Sequence, residues 1–179
     1  DPASGDVFVA HLWRTGNQNY PRITRYSSNN GGVTANASQV LLDMQGEPQG
    51  QSHQISCLEI VNGELFCHMG DGFNYQTAQN LGSYRGKILR LNLNGTPVAT
   101  NPFYNGGTIT SRDYVYCFGV RNPFGGAWRA ADGFRYCVEN GPGVDRLSKL
   151  VPGRNFGWNN TDASMSNFAL HNWTPSSGP

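Results

Sequence analysis

The sequence predicts an all-β fold, because short apolar runs alternate with turn residues along most of its 179 residues. Only 14% of the residues are charged, against roughly a quarter in an ordinary globular domain. The apolar runs are separated by many of the 23 glycines and 10 prolines. No stretch of more than about ten residues keeps the i, i+3, i+4 apolar spacing of an amphipathic helix. We therefore expect many short strands and little helix.

Nine runs rich in Val, Ile, Leu, Phe and Tyr are predicted to be strands. They span residues 6–11, 22–26, 39–44, 55–61, 64–69, 87–93, 114–118, 126–129 and 134–138. Dipeptides that favour the positive φ angles of hairpin turns lie between them, namely Asn62-Gly63, Asn94-Gly95, Gly106-Gly107 and Asp132-Gly133. Strands at this spacing are typical of a sandwich, a barrel or a propeller.

Two segments of similar form, GELFCHMGDG and DGFRYCVENG, are consistent with equivalent strands of successive propeller blades. At roughly 40 to 45 residues per blade, the chain would hold about four blades. We expect residues 1–179 to form a single partial β-propeller domain that continues outside this chain. An incomplete ring leaves strand edges exposed, so we expect missing blades, a second chain or an oligomeric partner to cover them.

The charge distribution argues against nucleic acid as a partner. The formal net charge is +1, and 13 basic residues are scattered without a cluster or stripe. No apolar run approaches the roughly 20 residues that cross a bilayer as a helix, so no membrane span is expected.

Four cysteines and four glycosylation sequons favour an extracellular or periplasmic protein. If Val61-Asn62-Gly63 forms a three-residue hairpin loop, Cys57 lies opposite Cys67 within reach of a disulfide. A two-residue Asn62-Gly63 turn would put the two cysteines out of register, and the alternative is four buried free thiols. The sequons place candidate glycans at Asn36, Asn94, Asn159 and Asn172.

One histidine stands beside an acid in the predicted sheet. His53 precedes the strand at 55–61, and Asp71 follows the strand at 64–69 that should pair with it. A carboxylate that accepts a hydrogen bond from one imidazole nitrogen leaves the other nitrogen free to act as a base. Two alternatives remain open: His53 as a structural residue, and Gly70-Asp71-Gly72 as an ordinary turn.

Two further loops carry groups suited to a planar anionic ligand and a cation. Arg121 and Asn122 precede Pro123 and place a guanidinium beside an amide on a rigid loop. An arginine stacked on Trp128 or Phe124 is the alternative. In the segment at 140–142, main-chain carbonyl groups are suitable ligands for a hard cation such as Ca²⁺, although an ordinary turn explains it equally well.

Taken in order, these clusters resemble the glucose/sorbosone dehydrogenase family, soluble six-bladed β-propellers that use pyrroloquinoline quinone (PQQ) and calcium. The likeness extends from about residue 51 to residue 158. It rests on the segments HQ, LEI, GELFCHMGDG, AQNLGSYRGKILRLNLNGT, NPF, YVYCFGVRNPFGGAW, ENGPGVDRLSKL and GRNFGW. The resemblance implies oxidation of an aldose sugar at its anomeric carbon, with hydride transfer to the quinone.

The resemblance assigns catalytic and substrate roles to three residues. His53 matches the base that removes the proton of the anomeric hydroxyl group, and Asp71 matches the acid that orients it. Asp145 matches an acid beside the sugar site. These roles are expectations that follow from the family.

The resemblance also assigns cofactor and metal contacts. Arg121 and Asn122 match the pair that contacts the carbonyl oxygens of the quinone, and Asn140 stands where a glutamine often stands. The carbonyl groups of Gly141 and Pro142 match ligands of the calcium that polarises the quinone. The basic residues that hold the carboxylates of the quinone belong to later blades, which would lie beyond residue 179.

Three departures from the family pattern define an alternative function. Phe124 replaces a glutamine that touches the quinone, Ser52 replaces an acid next to the histidine, and Arg146 replaces a glutamate. A non-catalytic extracellular propeller would bind a glycan or a protein, or serve a structural assembly. It predicts that Phe124 fills the quinone position and that the aromatic residues Trp13, Tyr20 and Trp173 line contact surfaces.

Overall fold

We describe a computed structural model of the chain that covers residues 1–166 and 168–176. These residues form three antiparallel sheets, each built from strands that are consecutive in the chain. The first sheet contains β1 (Val7–Thr15), β2 (Gln18–Ser27) and β3 (Ala37–Asp43). The second contains β4 (Ile55–Val61), β5 (Glu64–Met69), β6 (Lys87–Asn92) and β7 (Val115–Phe118). The third contains β8 (Pro123–Arg129), β9 (Phe134–Asn140), β10 (Asp145–Leu150) and β11 (Ala169–Trp173).

Helix is scarce, as the sequence predicts. The described residues contain α1 (Tyr75–Gln79), a 3₁₀ turn (Ser111–Tyr114) and α2 (Ala163–Ser166). Within that part of the chain, none of the helices has the length and apolar character needed to cross a bilayer.

The second sheet lies between the other two, and both of its faces are buried. Successive side chains of a strand point to opposite faces. Leu65 and Cys67 of β5 therefore belong to the apolar cluster shared with the first sheet, while Phe66 belongs to the cluster shared with the third. Sheets stacked in this way around successive cores are the blades of a propeller, so the predicted fold class is confirmed.

The number of blades is smaller than predicted. The described residues form three sheets instead of about four, because the second sheet and the third each take up more chain than 40 to 45 residues. The second sheet alone extends from residue 55 to residue 118, since long loops separate β5 from β6 and β6 from β7.

All nine predicted strands are present, and β10 and β11 were not predicted. In β10 the buried positions are Arg146, Ser148 and Leu150, while Leu147 is only partly buried. A strand that turns an arginine and a serine inward does not show the apolar alternation by which strands are recognised.

The predicted disulfide between Cys57 and Cys67 is wrong, because all four cysteines are free thiols. Asn62 and Gly63 have φ angles of 52° and 79°, so they form a two-residue turn and Val61 pairs with Glu64. Counting outward from this turn places Leu58 opposite Cys67. The hairpin therefore has the register in which the two cysteines do not face each other.

The antiparallel order brings several loops to one rim. Consecutive strands of each sheet reverse direction. The first residues of β4 and β8 and the last residues of β5, β7 and β9 therefore lie at the same end of the sheets. The loops before β4 and after β5, β7 and β9 therefore meet. These loops carry His53, Asp71, Arg121 and Pro142.

A buried lysine fixes the loop that follows Asp71. The side chain of Lys87 has no exposed surface, and its Nζ donates hydrogen bonds to the carbonyl oxygens of Thr77, Ala78 and Arg85 at 2.7, 3.2 and 2.6 Å. Burial lowers the pKa of Lys87 to about 7, an effect that the negative charge of Glu47 opposes.

We expect the free energy of unfolding to rise by up to about 4 kcal/mol between pH 7 and pH 10.5, relative to a Lys87→Met variant. In this interval the unfolded chain keeps the proton of Lys87 and the folded chain has released it, so folding becomes more favourable as the pH rises. Chemical denaturation of both proteins at stepped pH values measures the difference. A difference that stays constant across this interval contradicts the prediction.

Candidate active site

The centre of the candidate site is a buried histidine–carboxylate pair. His53 and Asp71 are 5% and 2% exposed, and Nδ1 of His53 lies 2.6 Å from Oδ1 of Asp71. Since an ionised carboxylate only accepts hydrogen bonds, Nδ1 carries the proton. Within the described part of the chain, Nε2 of His53 makes no hydrogen bond. The geometry therefore leaves a basic nitrogen free to accept a proton.

Main-chain hydrogen bonds hold the loops of this pair against each other. The N–H groups of Gly70 and Gly72 donate to the carbonyl oxygens of Gln54 and His53, each at 3.1 Å. The N–H group of Asp71 donates to the carbonyl oxygen of Arg121 at 2.8 Å. A Cβ atom on residue 70 would overlap the main chain of His53, so only glycine fits there.

Two aromatic side chains complete the surroundings of the pair. The ring of Phe73 stacks on the imidazole of His53, with 3.9 Å between centroids and an interplanar angle of 24°, although Phe73 is 64% exposed. The N–H group of Phe73 donates to Oδ1 of Asp71 at 2.9 Å. The indole Nε1 of Trp158 donates to Oδ2 of Asp71 at 2.7 Å. One face of the His53 imidazole is therefore covered, and both carboxylate oxygens of Asp71 have donors.

The predicted cofactor residues also lie together. Nη1 of Arg121 donates to the carbonyl oxygen of Asn140 at 3.1 Å, and Nδ2 of Asn122 donates to Oδ1 of Asn140 at 2.6 Å. The guanidinium of Arg121 lies 5.4 Å from the centre of the Trp158 ring. The alternative of a stack on Trp128 or Phe124 is not the arrangement found for Arg121.

The buried acid Glu139 holds the loop that carries Arg121 and Asn122. Glu139 is 1% exposed, and its Oε2 accepts a hydrogen bond from the N–H group of Arg121 at 2.8 Å. Burial raises the pKa of Glu139 to about 7, and hydrogen bonds from the main chain of Arg121 and the charge of Arg146 oppose that rise. The side chain of Arg121 is half-buried, and this burial lowers its pKa below the ordinary value for an arginine.

The pocket between these loops is small. It has a volume of about 70 Å³ and is lined by His53, Asp71, Phe73, Tyr75, Arg121, Pro142, Trp158 and Asn160. Larger grooves lie beside the first sheet, but they contain no histidine–acid pair. Sites for cofactor-sized ligands commonly enclose about 300 to 1,000 Å³. The pocket that the described residues enclose is therefore smaller than a site for a ligand of that size.

Of the residues predicted to bind metal or substrate, Pro142 lies at the pocket, and Gly141 and Asp145 are not in its lining. Pro142 lines the pocket, and Gly141 packs so closely on Asp162 and Arg146 that a side chain would not fit. Asp145 starts β10 opposite Asn140 and does not line the pocket. Arg146 is fully buried and pairs with Asp162 at 2.7 Å.

Sequence reasoning missed three residues that shape the site. Phe73 and Glu139 lie next to predicted residues in the chain, and no spacing rule distinguishes them. Trp158 lies 87 residues from Asp71, and its only sequence signal is its position in the segment GRNFGW.

A propeller with a histidine–carboxylate pair, an arginine and amide groups on one rim has groups suited to proton transfer beside a polar ligand. The family profile described as Glucose / Sorbosone dehydrogenase matches residues 2–171. The chain belongs to this family.

Individual relatives agree with this placement. The chain is 33% identical over 97 residues to aldose sugar dehydrogenase YliI of Escherichia coli, covering 54% of this chain and 26% of that protein. It is 40% identical over 79 residues to quinoprotein glucose dehydrogenase B of Acinetobacter calcoaceticus, covering 44% of this chain and 16% of that protein.

Solved structures show the same fold. A glucose dehydrogenase aligns with a TM-score of 0.81 and 24% identity, covering 97% of this chain and 54% of that structure. The PQQ-bound form of an aldose sugar dehydrogenase from Streptomyces coelicolor aligns with a TM-score of 0.77 and 25% identity, covering 97% of this chain and 50% of that structure. The chain spans about half the length of these structures.

Proposed function

We propose that this protein oxidises an aldose sugar at the anomeric carbon, with His53 as the base and PQQ as the electron acceptor. The observation that carries the proposal is the buried His53–Asp71 pair, which lines one pocket together with Arg121. The family placement adds the reaction class, since the matched relatives include an aldose sugar dehydrogenase and a quinoprotein.

The residues present fit a planar quinone. Arg121 offers a planar cation with hydrogen-bond donors on the wall of the pocket. Asn122 follows Arg121 directly, and its side chain donates to Oδ1 of Asn140 at 2.6 Å, which holds the loop that carries the guanidinium. Phe124 is 53% exposed and does not line this pocket, so its side chain does not fill the space beside His53 and Arg121.

The proposal of a bound calcium ion rests on main-chain oxygens alone. The described residues contain no group of three or more His, Cys, Asp or Glu side chains arranged to hold a metal ion. A cation in this pocket would therefore depend on main-chain oxygens, those of Gly141 and Pro142, together with oxygens of the ligand and water. The position of Pro142 on the pocket wall supports this arrangement.

The proposed reaction moves one proton to a defined atom of the chain. Nε2 of His53 takes the proton of the anomeric hydroxyl group, and the ionised Asp71 stabilises the imidazolium that forms. PQQ, when bound, would accept the hydride that leaves the anomeric carbon. Arg121 would contact the carbonyl oxygens of the quinone, and its positive charge would favour the transfer by stabilising negative charge on them.

Several parts of the proposal concern the whole protein. The remaining wall of the pocket and the groups that hold the carboxylates of the quinone would come from later blades or from a second chain. An extracellular or periplasmic location and glycans at Asn36, Asn94, Asn159 and Asn172 stay predictions. All four asparagines are exposed, which is compatible with modification.

We expect an Arg121→Ala variant of the full-length protein to bind PQQ about 10- to 100-fold more weakly than the wild type. The variant loses a charge-assisted hydrogen bond, a contact usually worth about 1.5–3 kcal/mol. Calorimetric titration of PQQ, with and without Ca²⁺, measures the affinity. Arg112→Ala is the matched control, because Arg112 is exposed and absent from the pocket lining. Equal affinities of wild type and Arg121→Ala would contradict the assigned contact.

A further inference from the structure

Trp158 occupies an unusual position at the candidate site. Its side chain is 2% exposed, and its Nε1–H group donates to Oδ2 of Asp71 at 2.7 Å. His53 contacts the other oxygen of the same carboxylate. The indole and the imidazole therefore hold the carboxylate from its two sides.

The main chain fixes Trp158 independently of Asp71. The segment that leaves β10 runs parallel to the end of β7, with a bridge between Phe118 and Asn155. The N–H group of Trp158 donates to the carbonyl oxygen of Gly119 at 2.9 Å. Its carbonyl oxygen accepts a hydrogen bond from Nε2 of Gln79 at 2.9 Å. The indole thus approaches Asp71 from a backbone anchored to the second sheet.

The hydrogen bond restricts the rotation of the carboxylate. With donors on one oxygen only, the carboxylate of Asp71 could turn about its Cβ–Cγ bond and change the angle at which it meets His53. The donor on Oδ2 opposes this rotation, and the N–H group of Phe73 holds Oδ1. A base works only in a narrow range of geometry, so a fixed carboxylate keeps Nε2 directed at one position.

We infer that Trp158 is a positioning residue for the base, acting through Asp71. The assignment of His53 as a base rests on the proposed function, whereas the control of the imidazole by Trp158 does not. The same indole carries the guanidinium of Arg121 on its face at 5.4 Å. The side chain of Trp158 therefore sets the spacing between the His53–Asp71 pair and Arg121, the residue assigned to the quinone.

Two changes at position 158 separate the hydrogen bond from packing. Trp158→Phe removes the donor and part of the ring. Incorporation of β-(3-benzothienyl)alanine replaces the N–H group with sulfur and keeps the bicyclic shape, so a loss of folding is not expected. Trp128→Phe is the matched control, because Trp128 does not line the pocket. Thermal unfolding checks that each protein is folded.

The first measurement is the ¹H–¹⁵N spectrum of histidine-labelled full-length protein near neutral pH. We expect the His53 proton on Nδ1 in every protein, because the carboxylate of Asp71 only accepts hydrogen bonds. We expect the Nδ1–H proton resonance to lie far downfield in the wild type and to move upfield in both proteins altered at position 158, because the hydrogen bond to Asp71 is no longer held in line. The second measurement is aldose oxidation, where we expect kcat to fall about 10- to 100-fold while KM changes by less than about twofold.

The two measurements fail in different ways. If the wild type oxidises no aldose, the proposed function fails, and the histidine spectra still test the role of Trp158. If the benzothienyl protein keeps the Nδ1–H resonance position and the kcat of the wild type, the positioning role is wrong. A matching loss in Trp128→Phe would indicate a general packing effect and would also overturn it.

Discussion

Replacement of His53 is expected to lower kcat for aldose oxidation by about 10²- to 10⁴-fold, the usual contribution of a general base. The site offers no second candidate for the same task, since the described pocket lining contains one histidine and its only carboxylate already accepts three hydrogen bonds. Activity with an aldose and a dye acceptor, measured on the full-length protein, gives the effect.

The choice of substitution matters because His53 has a φ angle of 55°. Asparagine tolerates this left-handed conformation better than alanine. His53→Asn and His53→Ala should therefore lose similar amounts of activity, with His53→Asn closer to the wild type in stability. His171→Ala is the control, because His171 lies exposed on β11. Activity of His53→Asn within about threefold of the wild type would remove the base from the mechanism.

Asp71→Asn is expected to lower kcat by about 10³-fold or more, because an amide cannot satisfy all of its neighbours. If the amide oxygen faces His53, the amide N–H₂ group meets the indole N–H of Trp158, and two donors oppose each other. If the amide turns over, it donates to Nδ1 of His53 and moves the imidazole proton to Nε2. Either arrangement weakens or removes the basic nitrogen.

A second buried acid provides the control for this change. Asp113 is 1% exposed and accepts hydrogen bonds from the main chain of Thr110 and Asn105 at 2.8 and 3.0 Å, far from the pocket lining. Asp113→Asn should lower the stability of the protein and leave the kcat of the folded fraction unchanged. If both variants lose kcat equally, Asp71 has no specific role.

The sequence predicts the pairing of His53 and Asp71 because the two lie at the ends of adjacent strands. The order of β4 and β5 brings them to one rim whatever the exact register. In the same way, Arg121 and Asn140 lie at the ends of β7 and β9, which carry their loops to that rim. Local rules of strand reversal are sufficient for these contacts.

The remaining features depend on details that local rules do not specify. Cys57 and Cys67 miss each other because the turn at Asn62-Gly63 has two residues instead of three. The contact of Trp158 with Asp71 depends on a segment that returns from β10 along β7, across two sheets. The stack of Phe73 on His53 depends on a positive φ angle of 62° at a non-glycine residue.

Arg146 is interpreted differently from the sequence and from the structure. In the sequence it is a departure from the family, where a glutamate is expected. In the structure its guanidinium pairs with Asp162 at 2.7 Å and packs against Gly141. The substitution is therefore accommodated inside β10 by a partner at position 162, and His53 and Asp71 remain paired.

The most direct test is anaerobic mixing of an aldose with the full-length protein loaded with PQQ and Ca²⁺, followed by absorbance of the bound quinone. We expect the wild type to reduce its bound quinone in proportion to the protein present, and His53→Asn to bind the quinone but reduce it far more slowly. A full-length wild type that binds no PQQ in the presence of Ca²⁺, or whose bound quinone stays oxidised with a panel of aldoses, would show that the protein is not a PQQ-dependent aldose dehydrogenase.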